Sequence, residues 1–526
     1  MTFQKKTLKK TNKKDKGDDL LLAAKTSSFV TEIPLITTSI DIAVLGARLE
    51  SGRQLYNAVL SEGKTRLQLL RNSELYQQAK LIAKTDKKRR STAFLKAREA
   101  YHFSDYHLQA FANKTAIASI WIKSHLDANT IQKIATRAFK AVERMMFGKA
   151  KKVRFKQKGQ FVSLEGKSNK QGIRWIGNGV EWAGLKLTGI ITNDPVILHG
   201  LNSKIKYVRL VRRILNQKTY WFAQLVCEGM PYQKPKNIVA DGTVGIDLGV
   251  STVAIIGDQE TIWTPFVVEL TSKQKEVRKL QRKMDRQRRA NNPDNFNSNG
   301  TVKKGKKRWN NSSRYKKTAS LKREIDRKQA AYRKSLHGKL VNQTLKLGKN
   351  IKTEKVSVKA WQKKWGKSIK FKSPSSFQSE LKRKAENAGG TVLMFSTRYT
   401  ALSQTCLCGN KQKKSLSQRV HNCSECGLKM QRDILSAYLS RYVDPKTETL
   451  SIELARNGWL GMEQSLLDGW RVGSNQSART ATSLKSPTIG GIERMSSNPI
   501  TSEESEPVRV NETYAVSWNP PDLSVG

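Results

Sequence analysis

From residue 45 to 147, apolar positions recur at steps of three and four. Leu55 and Val59, Leu67 and Leu70, then Leu75, Ala79 and Ile82 keep this period. It puts them on one side of a helix, and residues 110–121 and 131–146 repeat it, so this stretch is predicted as a run of helices. On either side the pattern changes. Residues 28–44 carry β-branched clusters, Phe29-Val30-Thr31, Ile36-Thr37-Thr38 and Ile40-Asp41-Ile42, and read as strands. From 150 to 235 short runs alternate with glycines: Val153-Arg154-Phe155, Phe161-Val162-Ser163-Leu164, Ile173-Arg174-Trp175-Ile176, Leu185-Lys186-Leu187 and Tyr220-Trp221-Phe222-Ala223. Strands this short and frequent suggest a small barrel or sandwich. The helices are therefore predicted to interrupt one β-domain, with parts at 28–47 and 150–238 and the helical insert at 48–149.

The second half alternates strands and helices. Val244 to Ile256 reads as a buried strand, a glycine turn and a second strand. Residues 272–349 keep only narrow apolar seams, Val277, Leu280 and Met284, then Leu321 and Ile325. They predict two helices joined by a loop at 291–311. A strand around Glu354 follows, flanking an aromatic, basic stretch with Trp361 and Trp365. Next come a helix at 376–388, a strand at 391–395, and helices at 433–442 and 451–470. Residues 1–27 are lysine-rich, and 471–526 are rich in Ser, Thr, Asn and Pro; both lack periodicity and are predicted to be disordered.

Charge narrows the function. The chain of 526 residues has 97 Lys and Arg against 43 Asp and Glu, a formal net charge of +54. That balance implies a polyanionic partner, nucleic acid first. A membrane-surface protein would need an apolar span or anchor, and the apolar runs are too short. The densest basic run lies in 272–349, where Arg278, Arg282, Arg286 and Arg289 recur on one predicted helix with few acids between them. Such a helix pair would repel itself without a partner, so these residues are candidate phosphate contacts.

Four of the five cysteines fall in 402–439: Cys406, Cys408, Cys423 and Cys426. Cys423-x-x-Cys426-Gly427 has the spacing of a zinc knuckle, in which backbone amides turn toward a thiolate. Cys406-x-Cys408-Gly409 is one residue shorter, so its turn must differ, and His421 is the substitute ligand or a packing residue. Cysteines in metal spacing fit a reducing compartment, so a cytoplasmic, nucleoid-associated protein is expected. Asp247 stands inside an apolar strand, where a carboxylate is costly unless it is paired or binds a metal. Such an aspartate serves magnesium in RNase H-like nucleases and phosphate in actin-like ATPases. Arg432-Asp433 follows the cysteines at the start of an apolar helix.

The order Asp247 in Gly-Ile-Asp-Leu-Gly, Glu354 closing a strand, the cysteine ribbon, then Arg432-Asp433 with Ser436-Ala437 behind it resembles the TnpB family. These are transposon-encoded RNA-guided nucleases related to type V CRISPR effectors. The resemblance covers about residues 28–445 and is most specific over 402–439. It implies an α+β multi-domain chain. A split RNase H-like (RuvC) nuclease at 239–400 and 431–470 would carry the basic insertion 272–349 and a zinc ribbon at 401–430. A β-barrel wedge domain would be interrupted by a helical recognition domain. It further implies two Mg2+ ions on Asp247, Glu354 and Asp433, a structural Zn2+ on the four cysteines, a guide RNA, a double-stranded DNA target, and Arg432 at the nucleic acid. A type V CRISPR effector, a nuclease-inactive RNA-guided binder and an actin-like ATPase remain as alternatives at this point. The short Cys-x-Cys spacing departs from the family pattern, and residues 471–526 have no counterpart in its core.

Overall fold

The computed structural model describes residues 27–483, apart from 306 and 416. These form two compact units, one ending at Tyr232 and the other starting at Gln233. Most of the lysine-rich arm, and the tail beyond residue 483, lie outside the described residues. No described helix is long and apolar enough to cross a membrane.

The first unit opens with β1 (Ser28–Leu35). The strand was expected to continue to residue 44, but Thr38 ends it. Thr38 Oγ1 accepts from the Asp41 amide at 3.2 Å, and the Asp41 carboxylate accepts from the Thr38 amide at 2.8 Å. This capping box starts α1 (Ser39–Asn72), and local hydrogen bonding outweighs the β-branched side chains of Ile40 and Ile42. Then come α2 (Glu74–Leu81), α3 (Lys87–Ala100), α4 (Asp105–Ile117), α5 (Ile120–His125) and α6 (Ala128–Met146). α6 buries Ile131, Ile134, Ala135, Ala138, Phe139 and Val142 along one face. Each large apolar side chain there contributes about 1.5–3 kcal/mol.

The chain continues through β2 (Ser163–Glu165), β3 (Arg174–Ile176), β4 (Gly179–Trp182), β5 (Leu185–Thr188), α7 (Pro195–Leu201), β6 (Ile205–Leu215) and β7 (Lys218–Glu228). β1 pairs antiparallel with β7 along its whole length, Ser28 opposite Glu228 and Leu35 opposite Trp221. The helical run therefore lies between paired strands. Residues 153–155 are not in a strand. The expected barrel does not close among the described residues: the strands form one sheet in the order β1-β7-β6-β2 and another in the order β3-β4-β5. A single bridge, Leu35 to Gly189, links them. β6 escaped the sequence pattern because only Val208 and Leu210 are fully buried, while Arg209, Arg212 and Arg213 break its apolar run.

The second unit is built on a five-stranded sheet. Its strands are β8 (Thr243–Leu248), β9 (Thr252–Ile256), β10 (Thr261–Pro265), β11 (Asn350–Glu354) and β12 (Val392–Phe395), in the order β10-β9-β8-β11-β12. The first three form an antiparallel meander, while β11 runs parallel to both β8 and β12. Between β10 and β11 lie α8 (Gln274–Ala290) and α9 (Ser313–Leu347); between β11 and β12 lie α10 (Val358–Lys372) and α11 (Pro374–Asn387). α12 (Thr397–Thr400) leads to the hairpin β13 (Val420–Asn422) and β14 (Lys429–Gln431). The described residues end in α13 (Arg432–Ser440), α14 (Ile452–Asn457) and α15 (Glu463–Ser483).

Alternation on the sheet makes two cores. Val244, Ile246, Leu248, Val253 and Ile255 pack with Phe266, Val341 and Leu345, and with Phe377 and Leu381 of α11. Ala254 and Ile256 face the other way, toward Ile434, Leu435 and Tyr438 of α13 and Leu466 of α15. α15 continues to Ser483, past residue 471, where composition predicted order to stop. A side chain at Gly469 would stand 2.3 Å from Thr261, and one at Gly473 2.3 Å from the Trp263 carbonyl. Glycines four apart let this helix lie directly on β10, and that docking outweighs its polar composition.

Candidate active site and metal centre

The alternation that turns Ile246 and Leu248 into one core turns Gly245 and Asp247 toward α13. A Cβ at Gly245 would stand 2.0 Å from the Ala437 carbonyl and 2.5 Å from Ser440 Oγ. Glycine there lets the helix backbone close on the strand and carry its first turn to Asp247. β11 pairs parallel with β8 so that Thr353 lies opposite Ile246, which sets Glu354 beside Asp247 at the same end of these two inner strands. Asp433 is the second residue of α13, capped by the Gln431 side chain, which accepts from the Ile434 amide at 2.9 Å. It is 7% exposed, and Thr252 Oγ1 donates to its Oδ2 at 2.9 Å.

These acids feel one another. Burial pushes the Asp247 carboxyl well above the usual carboxylate range, and Asp433 and Glu354 push it further; Arg432 and Arg419 partly oppose this. Burial raises Glu354 to about 7. Arg432 Nη2 lies 3.5 Å from Asp433 Oδ1, and Arg419 Nη1 lies 4.0 Å from Oδ2. Arg432, read from sequence as a nucleic-acid contact, is largely committed within the fold: its Nη1 donates to the Ser415 and Gln418 carbonyls at 3.1 and 2.9 Å. Arg419 and Thr252 are members of the site that the sequence reading did not assign. Thr252 lies at the start of the second strand read over Val244 to Ile256, where no packing or charge pattern singles it out, and nothing in the polar run around Arg419 marks that residue.

The four cysteines meet. Cys406 Sγ lies 3.5 Å from Cys426 Sγ, and Cys408 Sγ lies 3.6 Å from Cys423 Sγ. All four sulfurs fall within 4.8 Å of one another. Tetrahedral zinc at about 2.3 Å from each sulfur separates them by about 3.8 Å, so these four could hold one ion. Gly409 and Gly427 take φ of +89° and +70°, the left-handed turn that bends each knuckle. Amides of Cys426 and Glu425 donate toward Cys423 and bring its thiol down to about 6. The shorter knuckle aims the Cys408 amide at Cys406 and the Asn410 amide at Cys408. His421, the substitute ligand, is not among the four. It is fully buried on β13 beside Lys414, and burial together with that cation pushes it down to about 4.

α8 buries no residue. Arg278, Arg282 and Arg286 are exposed along it and form no ion pair among the described residues. Arg289 behaves differently: it bonds Asp285 at 2.7 Å and the Gly300 carbonyl at 2.7 Å, and stacks over Phe296 at 4.7 Å. It helps to fold the loop at 291–311, together with Arg288, whose guanidinium covers Trp309 and Tyr315.

Residues 375–439 match a family model described as the Cas12f1-like TNB domain. That segment contains α11, β12, the four cysteines and Asp433. No curated protein matches the chain. Among solved structures, the chain is similar to Cas12f1 in a complex with sgRNA and target DNA, at 12% identity and a TM-score of 0.38, covering 81% of this chain and 100% of that one. It is also similar to a CRISPR-Cas12f ternary complex, at 13% identity and a TM-score of 0.25, covering 77% and 82%.

Proposed function

We propose that this chain is an RNA-guided DNA endonuclease of the TnpB and Cas12f kind, hydrolysing phosphodiester bonds at Asp247, Glu354 and Asp433. The observation that carries it is that acids from β8, β11 and the start of α13 come together beside a four-cysteine ribbon matched by a Cas12f1-like domain model. The carboxylates are hard oxygen donors, mutually repelling and only partly offset by Arg419 and Arg432, which suits Mg2+. Bound there, the ions would supply an activated water and stabilise the leaving 3′ oxygen.

The remaining work falls to the chain. Thr252 fixes the rotamer of Asp433, and the ribbon, closed by zinc on its cysteines, anchors the loop that brings Arg419 and Arg432 to that acid. Arg278, Arg282 and Arg286 contact phosphates of the guide RNA or its DNA target, and guide pairing selects the sequence. Expression with flanking DNA, followed by sequencing of copurifying RNA, tests the partner. Asp247→Ala should abolish magnesium-dependent cutting of a matched target while leaving binding nearly intact. Cutting at the wild-type rate by that variant would overturn the catalytic assignment.

A further inference from the structure

We infer that Lys352 is a positioning residue of the acidic site: it fixes how far α13 reaches along β8 and β11, and so where Asp433 stands against Asp247 and Glu354. This deepens the nuclease reading and rests on it. β8 and β11 run parallel, with Lys352 opposite Gly245. The next positions on the same face are Glu354 and Asp247, about 6.6 Å further along. One pair of positions therefore meets the end of α13, and the next pair meets its start. On the helix, Asp433 and Ala437 are four residues apart, about 6 Å. The two spacings match only while the helix keeps its place, because a shift of one residue's rise carries Asp433 about 1.5 Å away.

The end of α13 is held from β11. Lys352 Nζ donates to the Arg441 carbonyl at 2.7 Å and to the Val443 carbonyl at 2.8 Å. Arg441 is the C-cap of α13, where carbonyls have no helical partner and a cation is favourable. Ser440 Oγ donates to the Ala437 carbonyl at 2.7 Å and reaches the Lys352 carbonyl at 3.4 Å. Lysine suits this task, since its stem ends in a compact cation with three donors. The bland alternative is an ordinary helix cap that only stabilises the fold. It accounts for the bonds to Arg441 and Val443. It does not account for their origin two residues before Glu354, on the same face of the same strand, so that one strand presents one acid and grips the helix that carries another. Lys384 offers the comparison. It joins α11 to α9 by donating to Asn342 Oδ1 at 2.7 Å, within the core on the side of the sheet away from α13.

The test uses the full-length chain, below the melting transition of each variant. Mn2+ uptake by protein freed of RNA is followed by electron paramagnetic resonance, with Asp247→Ala as the blank. Cutting of a matched target is followed with the copurified RNA in place. Lys352→Met keeps the length of the side chain without its charge or donors. It should weaken Mn2+ uptake about tenfold and slow cutting at saturating target about tenfold or more, because a displacement of about 1 Å can cost about a hundredfold in rate. Target binding should stay unchanged. Lys384→Met should lower the melting temperature and alter neither uptake nor rate. Wild-type uptake and rate in Lys352→Met, or losses no larger than in Lys384→Met, would overturn the positioning role and leave the nuclease reading intact. If Lys352→Met does not fold, Lys352→Arg decides. Its planar guanidinium keeps the cation but seats α13 differently, so uptake should weaken a few-fold at a melting temperature near that of wild type, and unchanged uptake would overturn the inference. Uptake by wild type no greater than by Asp247→Ala would overturn the acidic site itself, and the role of Lys352 with it.

Discussion

Asp247 is the residue on which the candidate site turns, and burial among other acids sets its chemistry. A carboxylate in an apolar strand is conspicuous in sequence, because no packing argument explains it. Glu354 is less so: alone it is an ordinary strand-end glutamate, and only the order of the three acids singled it out. Arg419 and Thr252 were not legible, since they reach Asp433 only once the ribbon and the β8–β9 turn have folded around it. The energetics of Glu354 give a direct test. Its folded value is raised from 4.5 to about 7 by burial. Between those values the folded chain keeps a proton that the unfolded chain has lost. Metal-free stability should therefore fall as pH rises through that window. Glu354→Gln removes this titration. Melting temperatures without added divalent cation, from about pH 5 to about pH 8, should decline less steeply in the variant than in wild type. Identical profiles would mean that Glu354 is solvated and does not share the buried site.

Elements decide where those residues go. The capping box at Thr38 turned an expected strand into the start of α1, because reciprocal hydrogen bonds at one position outweigh the weak preference of scattered β-branched residues. β8 and β9 were legible as short apolar runs around a glycine turn, because both faces of the sheet are covered, and the amphipathic helices of the first unit because one face of each is buried. β6 was not, because Arg209, Arg212 and Arg213 interrupt its apolar run. The ribbon was legible from cysteine spacing, and the structure resolves its one irregularity: Cys406-x-Cys408 still brings both sulfurs to the cluster, through two separate amides. The purified protein should accordingly hold about one zinc per chain. Cys408→Ser should lose most of that zinc and lower the melting temperature of the second unit, whereas His421→Gln should retain the metal. Elemental analysis of the two variants checks this. Zinc retained by Cys408→Ser would exclude the four-thiolate site.

At the scale of the whole molecule, charge is the dominant fact, and it was plain from composition. A formal +54 spread over 526 residues raises the energy of any compact state unless anions share the surface. What composition could not show is which cations are free. Arg289 and Arg432, both read from sequence as nucleic-acid contacts, are engaged by partners within this chain, whereas Arg278, Arg282 and Arg286 project from a helix with no buried residue and form no ion pair among the described residues. The free three follow the helical repeat at steps of four, so they line one side of α8 over about 12 Å. If they contact phosphates, binding releases counterions, and affinity falls with salt at about 0.9 log units per phosphate on duplex and about 0.7 on single strands. Replacing all three with glutamine should flatten the slope by about two to three. The loss should be the same on two unrelated matched targets, because phosphate contacts position a polymer without reading it. Arg289→Gln, by contrast, should leave the slope nearly unchanged and lower the stability of the loop at 291–311, since its guanidinium is occupied by Asp285, Gly300 and Phe296. A salt series on the triple and single variants separates these cases. An unchanged slope in the triple variant would make α8 a solvated face, and a loss confined to one target would mean that these arginines read bases.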